Sequence, residues 1–368
     1  MNKIFYGICT LSGTIIGVGL FSLPYIYYQV GIWTMLFYFF TLGILTIVIH
    51  LLFGEVALKT PDFLRLPGFA KFHLGKWGEK IAFFIIAIGG FGAILAYIII
   101  GGKFLFGLLS PIFGGNELIY TLLYFALGAI LIYFGIKAIC KVELWGLVLF
   151  LIILAIIFFQ GLPFFQTENL LVMSGKKDLF LPYGPILFSF WGTALIPEVE
   201  EMLGKKKNLL KKIIIVATLI PIIVYLLFMF LVIGITGQNT SQEGIEGLKF
   251  FLGNKIIKLA FFCGLVTTFT SFIGFGLTLK KVFWYDFKIE KNLSWLITCF
   301  IPLALFFLGI NNFIEVISFV GGITIGIEGI LIILMYQKIK RTKFSIFIYP
   351  LILIFILGIV YQIIYFIK

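Results

Sequence analysis

Apolar residues in this chain neither alternate nor recur once per helical turn. They fill unbroken runs separated by short clusters of Lys, Glu, Asn, Gly and Pro. Eleven runs stand out, at about 4–29, 32–58, 80–109, 117–136, 142–161, 184–203, 210–236, 256–284, 293–309, 312–336 and 345–367. A bilayer core is ~30 Å thick and is spanned by about 20 apolar residues in helical form. Backbone polar groups in lipid must be satisfied within the segment, so runs of this kind predict helices. A barrel would show alternating stretches of ~10 residues instead. The first run follows a single lysine and lacks a small-residue cleavage site, so it reads as a first crossing rather than a cleaved leader.

Composition agrees with that pattern. Of 368 residues, 61% are hydrophobic and 12% charged, about half the ~25% charge of a soluble domain. A soluble globular enzyme, a disordered chain and a secreted disulfide scaffold are all excluded. The net charge of +12 is explained by orientation. With the N-terminus in the cytoplasm, 21 of the 28 Lys and Arg residues fall on the inside; only Lys103, Lys176, Lys177, Lys249, Lys255, Lys258 and Lys368 lie outside. This predicts an N-in, C-out chain with an odd number of crossings. It also means that the basic excess does not indicate nucleic acid. The two histidines, His50 and His73, lie in different segments, and Cys9, Cys140, Cys263 and Cys299 form no CxxC pair. Neither a metal cluster nor a nucleophile with its base is indicated, and there is no phosphate loop. The sequon Asn239-Thr-Ser is short enough to arise by chance.

Three runs depart from plain Ile/Leu/Phe. The first contains Gly13-Thr-Ile-Ile-Gly17-Val-Gly19-Leu-Phe-Ser-Leu-Pro24, and the sixth Leu187-Phe-Ser-Phe-Trp-Gly192-Thr-Ala-Leu-Ile-Pro197. Glycine costs about 1 kcal/mol in a helix interior and proline about 3. Both runs are therefore expected to break, with Pro197 closing the first half of the sixth. The eighth carries Thr267, Thr268, Thr270 and Ser271 and is expected to be interrupted at the same depth. Broken backbone at membrane depth lines a cavity or is buried by protein. Half-helix N-termini there suit a carboxylate, and half-helix C-termini an ammonium or a cation. Gly13-xxx-Gly17 also fits close helix packing. Runs one and six open the two halves of a five-plus-five arrangement, the signature of an inverted repeat. The halves are 1–161 and 162–336, with 337–368 as an additional eleventh helix.

These residues resemble the amino acid/polyamine/organocation superfamily. The glycine run of the first segment carries the resemblance most specifically. His50-Leu-Leu-Phe-Gly-Glu55-Val-Ala-Leu-Lys59-Thr, Arg65-Leu-Pro-Gly68, Ala96-Tyr97-Ile-Ile-Ile-Gly-Gly-Lys103 and Gly135-Ile-Lys137-Ala-Ile-Cys-Lys141-Val-Glu143 resemble the amino acid/auxin and tryptophan/tyrosine permease branches. Phe188-Ser189-Phe190-Trp191-Gly192, followed by Ile196-Pro-Glu198, resembles the sixth-helix motif. The resemblance implies an all-α LeuT-type fold, discontinuous helices one and six, and secondary active transport of an amino acid across the cell membrane. By the family pattern, N–H groups at Gly17, Val18 and Gly19 would hold the substrate carboxylate. Carbonyls at Ile15, Phe188 and Trp191 would receive its ammonium, with Phe188 as an aromatic gate and Ser189 and Gly192 completing the motif. Many relatives carry Ser at the position of Val18, so here the side-chain hydroxyl is missing.

The resemblance also frames the coupling ion. Thr270 and Ser271 match a hydroxyl pair of sodium-coupled members, with carbonyls of Gly13, Ile16 and Thr267 as partners. Phe150 falls where proton-coupled relatives place a lysine. Sodium is therefore expected. A proton would need an acid near the site, and the candidates are His50, Glu55, Glu198, Glu315 and Glu328. For Glu55, Glu143 and Glu198, pairing with interfacial lysines is the simpler expectation, and Tyr97 faces either the site or a neighbouring helix. Few polar side chains fall in segments three, six and eight, which favours an uncharged apolar or aromatic amino acid over a charged one. A channel would need a polar pore lining, and no segment offers one. A transport-fold sensor without flux is the remaining rival. No cofactor other than Na+ or H+, and no partner other than substrate and lipid, is expected.

Overall fold

The computed structural model describes residues 3–61, 64–135, 139–174, 178–340 and 345–367, without the side chains of 139–144 and 345–347. Lys137, Lys176, Lys177 and Lys368 therefore lie outside the described residues, as do the side chains of Cys140, Lys141 and Glu143. The elements are α1 (Lys3–Ile15), α2 (Leu23–Val30), α3 (Ile32–Lys59), α4 (Leu66–Leu74), α5 (Lys76–Phe113), α6 (Glu117–Phe134) and α7 (Ile139–Gly161). There follow α8 (Tyr183–Phe190), α9 (Ile196–Leu203), α10 (Leu210–Thr236), α11 (Asn254–Lys281), α12 (Lys291–Phe307), α13 (Phe313–Phe319), α14 (Ile325–Lys340) and α15 (Ser345–Ile367). Each of the eleven apolar runs has a helical counterpart. By length and apolarity alone, eight helical stretches among the described residues are able to cross a membrane. The bent pair formed by α1 and the following turn with α2 makes a ninth. One stretch, Tyr183–Asn239, spans two of the runs, and α12 is shorter at 17 residues.

The chain reverses where glycine permits it. Gly31, at φ +79°, ends α2 and opens α3, and Gly75, at φ +80°, joins α4 to α5, a backbone region that side chains with a Cβ disfavour. The connection from Lys59 to Lys76 contains the short helix α4, which packs on α5 and α14. Among the described residues two π-turns occur, at Val282–Asp286 after α11 and at Val320–Thr324 between α13 and α14. The second lies against α8, where Gly184 and Gly321 bring the two backbones together.

Two expectations change. The eighth segment is one unbroken helix, α11, because its hydroxyls bond back to their own turn. Thr267 Oγ1 donates to the Cys263 and Gly264 carbonyls at 3.0 and 3.1 Å, and Thr268 Oγ1 to Gly264 at 2.8 Å. Such back-bonding satisfies a hydroxyl without opening the helix. Pro197 does not end the first half of segment six. That half stops at Phe190, and Pro197 stands in the first turn of α9, where its missing N–H would be unpaired anyway.

One lysine counted with the basic loops is internal. Lys280 is 4% exposed, and its Nζ donates to the carbonyls of Ile132 and Tyr133 at 2.9 Å each. It thereby caps the C-terminal end of α6, where carbonyls lack intrahelical donors. Replacing Lys280 by Met should destabilise the fold by about 1–3 kcal/mol, the cost of orphaned buried acceptors. A melting temperature in detergent equal to wild type would refute this capping role.

Candidate functional site

The two broken helices meet at their breaks. Helix α1 stops at Ile15 because Gly17 is extended, at φ −128° and ψ −156°, and a 3-10 turn then runs from Val18 to Ser22. Helix α8 stops at Phe190, Trp191 is extended, and a 3-10 turn at Thr193–Leu195 leads into α9. Each break orphans carbonyls on one side and N–H groups on the other. Glycine allows the crossing. A Cβ on Gly19 would lie 2.9 Å from Ser189 Cα, and one on Gly192 2.6 Å from Ile15 Cγ1.

Two buried side chains satisfy part of this backbone. The Tyr225 hydroxyl, from α10, donates to the Ile15 carbonyl at 2.5 Å and accepts from the Gly17 N–H at 3.2 Å. His50, from α3, accepts the Gly192 N–H on Nε2 at 3.1 Å, and its Nδ1 lies 3.0 Å from Thr218 Oγ1. Of the N–H groups expected to face a carboxylate, that of Gly17 is thus already bonded, while Ile15 shares its carbonyl with a tyrosine.

A cavity of about 130 Å³ opens beside the breaks. Ile15, Gly17, Val18 and Gly19 line it from the first break, and Phe188, Ser189 and Trp191 from the second. Gly192 sits behind them against Ile15 and Leu11. Tyr97 lines it from α5, and its hydroxyl would be 3.1 Å from a Cβ on Gly17. The remaining walls are mainly apolar and extend to Arg65 and Leu66 at the start of α4, and to Val282. Arg65 is paired there with Glu198 at 3.5 Å, and Glu55 pairs with Lys211 at 2.6 Å.

The opposite mouth is covered. Phe21 packs on Phe104 and Phe228, with ring centroids 4.8 and 6.0 Å apart. The segment after α7 crosses this face: Tyr27 Oη donates to the Leu170 carbonyl at 2.7 Å, and the Ser174 N–H to that of Tyr28 at 2.8 Å. Residues near Gly244 of the next loop lie on Phe21 and Pro24. Burial raises the Glu243 carboxyl above the usual range there, against the opposing pull of Lys103 3.7 Å away.

One acid reaches the cavity itself. Glu328, on α14, accepts a 2.5 Å hydrogen bond from Thr193 Oγ1, just past the second break. Among the described residues, no basic side chain pairs with it.

The residues expected to hold a cation are only partly assembled. Ser271 Oγ faces the first break, 3.7 Å from where a Gly17 Cβ would stand. Thr270 turns toward Gly146 of α7 and donates to the Thr267 carbonyl at 3.1 Å. Gly13 and Ile16 are in the last turn of α1 and at the break, the Ile16 N–H being bonded to Ser12. Phe150 is buried in α7, its carbonyl 4.0 Å from Cys263 Sγ.

A family model for tryptophan/tyrosine permeases matches residues 1–365. The chain belongs to that family. Curated relatives of this permease include tyrosine-specific transport system 1 of Haemophilus influenzae, 24% identical over 76% of the chain and 73% of the relative. Glutamine transporter 2 of Aliivibrio fischeri is 25% identical over 88% and 86%. The low affinity tryptophan permease of Escherichia coli is 24% identical over 84% and 81%. Among solved structures, MhsT in complex with L-phenylalanine superposes with a TM-score of 0.65 at 15% identity, covering 99% of this chain and 98% of that one. MHP1, a nucleobase-cation-symport-1 family transporter, superposes with a TM-score of 0.70 at 11% identity, covering 98% and 90%. The fold is therefore of the LeuT type, and the permease is a multi-pass amino acid transporter of the cell membrane rather than an enzyme.

Sequence reasoning missed Tyr225 and Thr193. Tyr225 stands in an ordinary apolar helix, and only its seven-residue spacing from Thr218 put two hydroxyls on one helical face. Thr193 lies inside the sixth-helix motif beside Trp191 and Gly192, where nothing in the local spacing points to its partner Glu328.

The crossing point makes a direct prediction. Gly19→Ala should abolish amino acid uptake at normal expression, because its Cβ would strike the backbone of Ser189. Gly146→Ala, whose Cβ would have 3.7 Å of clearance, should leave uptake near wild type. Uptake by Gly19→Ala at the wild-type rate would mean that the close approach is dispensable.

Proposed function

We propose that this permease carries a neutral amino acid with an apolar or aromatic side chain by alternating access, in symport with a cation. The observation that carries the reading is the pair of helix breaks opening onto one largely apolar cavity. The Val18 and Gly19 N–H groups head a helical turn and suit a carboxylate. The carbonyls ending α8, including Phe188, with that of Trp191 just beyond and Ile15 opposite, suit an ammonium. Phe188 and Trp191 offer ring faces to the substrate side chain, and Ser189 and Gly192 keep the helices close. The nearest cation, Arg65, is engaged by Glu198, which disfavours an acidic side chain. The names of the relatives, for tyrosine, glutamine and tryptophan, agree with an uncharged substrate.

The same reading takes the chain as eleven crossings with its N-terminus in the cytoplasm. The repeats are 1–161 and 162–336, and 337–368 is the added helix. The cavity then opens inward, on the side of α4 and the Lys205–Lys207 turn.

The two cation readings rest on different groups. Sodium would use Ser271 and Thr270 with the carbonyls of Gly13, Ile16 and Thr267. It requires Thr270 to turn from α7 toward the break. A proton would use Glu328, an acid in the cavity with no basic partner among the described residues. Isolated acids at membrane depth are expensive and mark ion or proton pathways. The geometry favours the proton, with sodium as the second reading.

Uptake into proteoliposomes separates these readings. Under the proton reading, lowering the outside pH accelerates uptake, replacing sodium by choline leaves it unchanged, and Glu328→Gln removes the pH drive while substrate binding persists. Uptake that stops in choline would establish sodium instead. Substrate binding with no flux under either gradient would mark the protein as a sensor.

A further inference from the structure

Tyr225, His50 and Thr218 line no part of the cavity, yet each is buried and polar. The Tyr225 hydroxyl bridges Ile15 and Gly17, the residues on either side of Ile16. One oxygen thus fills an acceptor and a donor that a continuous helix would have paired internally. The Tyr225 ring stacks on Phe190, the last residue of α8, at 6.0 Å and 18°. Its hydroxyl therefore fixes one break while its ring abuts the other.

His50 does the corresponding work at the second break. Because Nε2 accepts the Gly192 N–H, the ring proton sits on Nδ1 and is donated to Thr218 Oγ1. The ring meets Trp191 edge-on at 5.7 Å. Thr218 and Tyr225 are seven residues apart on α10, two turns along one face. The Ala217 carbonyl beside them accepts from Ser12 Oγ on α1 at 3.0 Å. A single stripe of α10 thus holds the first break directly and the second through His50.

We propose that Tyr225 and His50 are positioning residues for substrate recognition, setting the two breaks in the geometry that presents backbone groups to the amino acid. The proposal rests on the amino acid binding at those breaks. With Gly17 claimed by Tyr225, the carboxylate is left to Val18 and Gly19. With Gly192 claimed by His50, the peptide group that it shares with the Trp191 carbonyl is fixed in orientation.

The test is substrate affinity in purified full-length protein, read as ligand-induced thermal shift across the neutral amino acids and as KM in proteoliposomes. Tyr225→Phe removes one oxygen and keeps the ring stacking. It removes both hydrogen bonds of that oxygen and should weaken binding about tenfold, the net scale of one to two such bonds, with Vmax changed less than KM. His50→Leu should do the same. His50→Gln, which can place an acceptor near the Gly192 N–H, should recover most of the affinity. If no amino acid shifts the wild-type protein, binding at the breaks itself fails. If wild type binds and both Tyr225→Phe and His50→Leu match it, the positioning roles are overturned. Equal losses in His50→Gln and His50→Leu would also overturn that of His50. Should His50→Leu fail to fold, Thr218→Val, which removes the partner of the His50 Nδ1–H, takes its place, and wild-type affinity in that variant overturns the role of His50.

Discussion

The structure depends on one constraint: a peptide group inside the membrane must have a hydrogen-bond partner. An unbroken helix meets that demand internally, and most of this chain does so. The two breaks do not. They expose donors and acceptors where neither lipid nor a neighbouring Ile/Leu/Phe wall can answer them, and each unmet group costs several kcal/mol. The fold answers in two ways. Part of the orphaned backbone is closed off by Tyr225 and His50. The other residues of the breaks line the cavity, where water or, in the proposed function, a zwitterion would serve as partner. The division leaves a short polar strip, which the proposed function assigns to the head of an amino acid, while Phe188, Trp191 and most of the walls around them remain apolar or aromatic.

The same constraint accounts for the glycines that matter. Gly19 and Gly192 allow the breaks to touch, with Ser189 on one side and Ile15 on the other. Contact here makes the orphaned groups of both helices converge on one point. Were the helices a few ångströms apart, the carboxylate and ammonium of a single molecule could not reach them together. Gly184 and Gly321 repeat the device at the π-turn of the tenth segment, which brings α14, and with it Glu328, alongside the second break.

The membrane character, the helical segments and the two broken helices were legible because each has a strong one-dimensional signal. Apolar runs of bilayer length and glycine with proline at mid-span have no cheaper explanation. The eighth segment misled, since a hydroxyl cluster looks alike whether it opens a helix or bonds back along it. Only the Thr267 and Thr268 distances decide. Pro197 misled in a related way: proline marks a helix boundary, but not which side of it. The pairing of Tyr225 with Ile15 spans more than two hundred residues, and that of His50 with Gly192 more than a hundred. Such contacts leave no trace in local spacing. Glu328 is one of several candidate acids in the sequence, but its bond to Thr193 joins segments ten and six and follows from packing alone.

Val18 sharpens what recognition by such a site entails. In the proposed binding mode, with no hydroxyl there, the carboxylate would meet backbone donors on the first helix, and the ammonium mainly backbone acceptors. Side-chain ligands can follow a substrate through rotamer changes while the main chain stays still. Backbone ligands cannot; they exist only while the break holds its shape. A motion that tilts α1 against α2, or α8 against α9, alters all of them at once. In that binding mode, affinity for the amino acid head would be tied to the conformation of the breaks themselves, and a ligand biases a conformational equilibrium through such differential affinity. Glu328 lies one hydrogen bond from the second break, through Thr193. Under the proton reading, a change of charge on that carboxyl would act on the backbone proposed to hold the substrate, so ion and amino acid would not need to touch each other to be coupled.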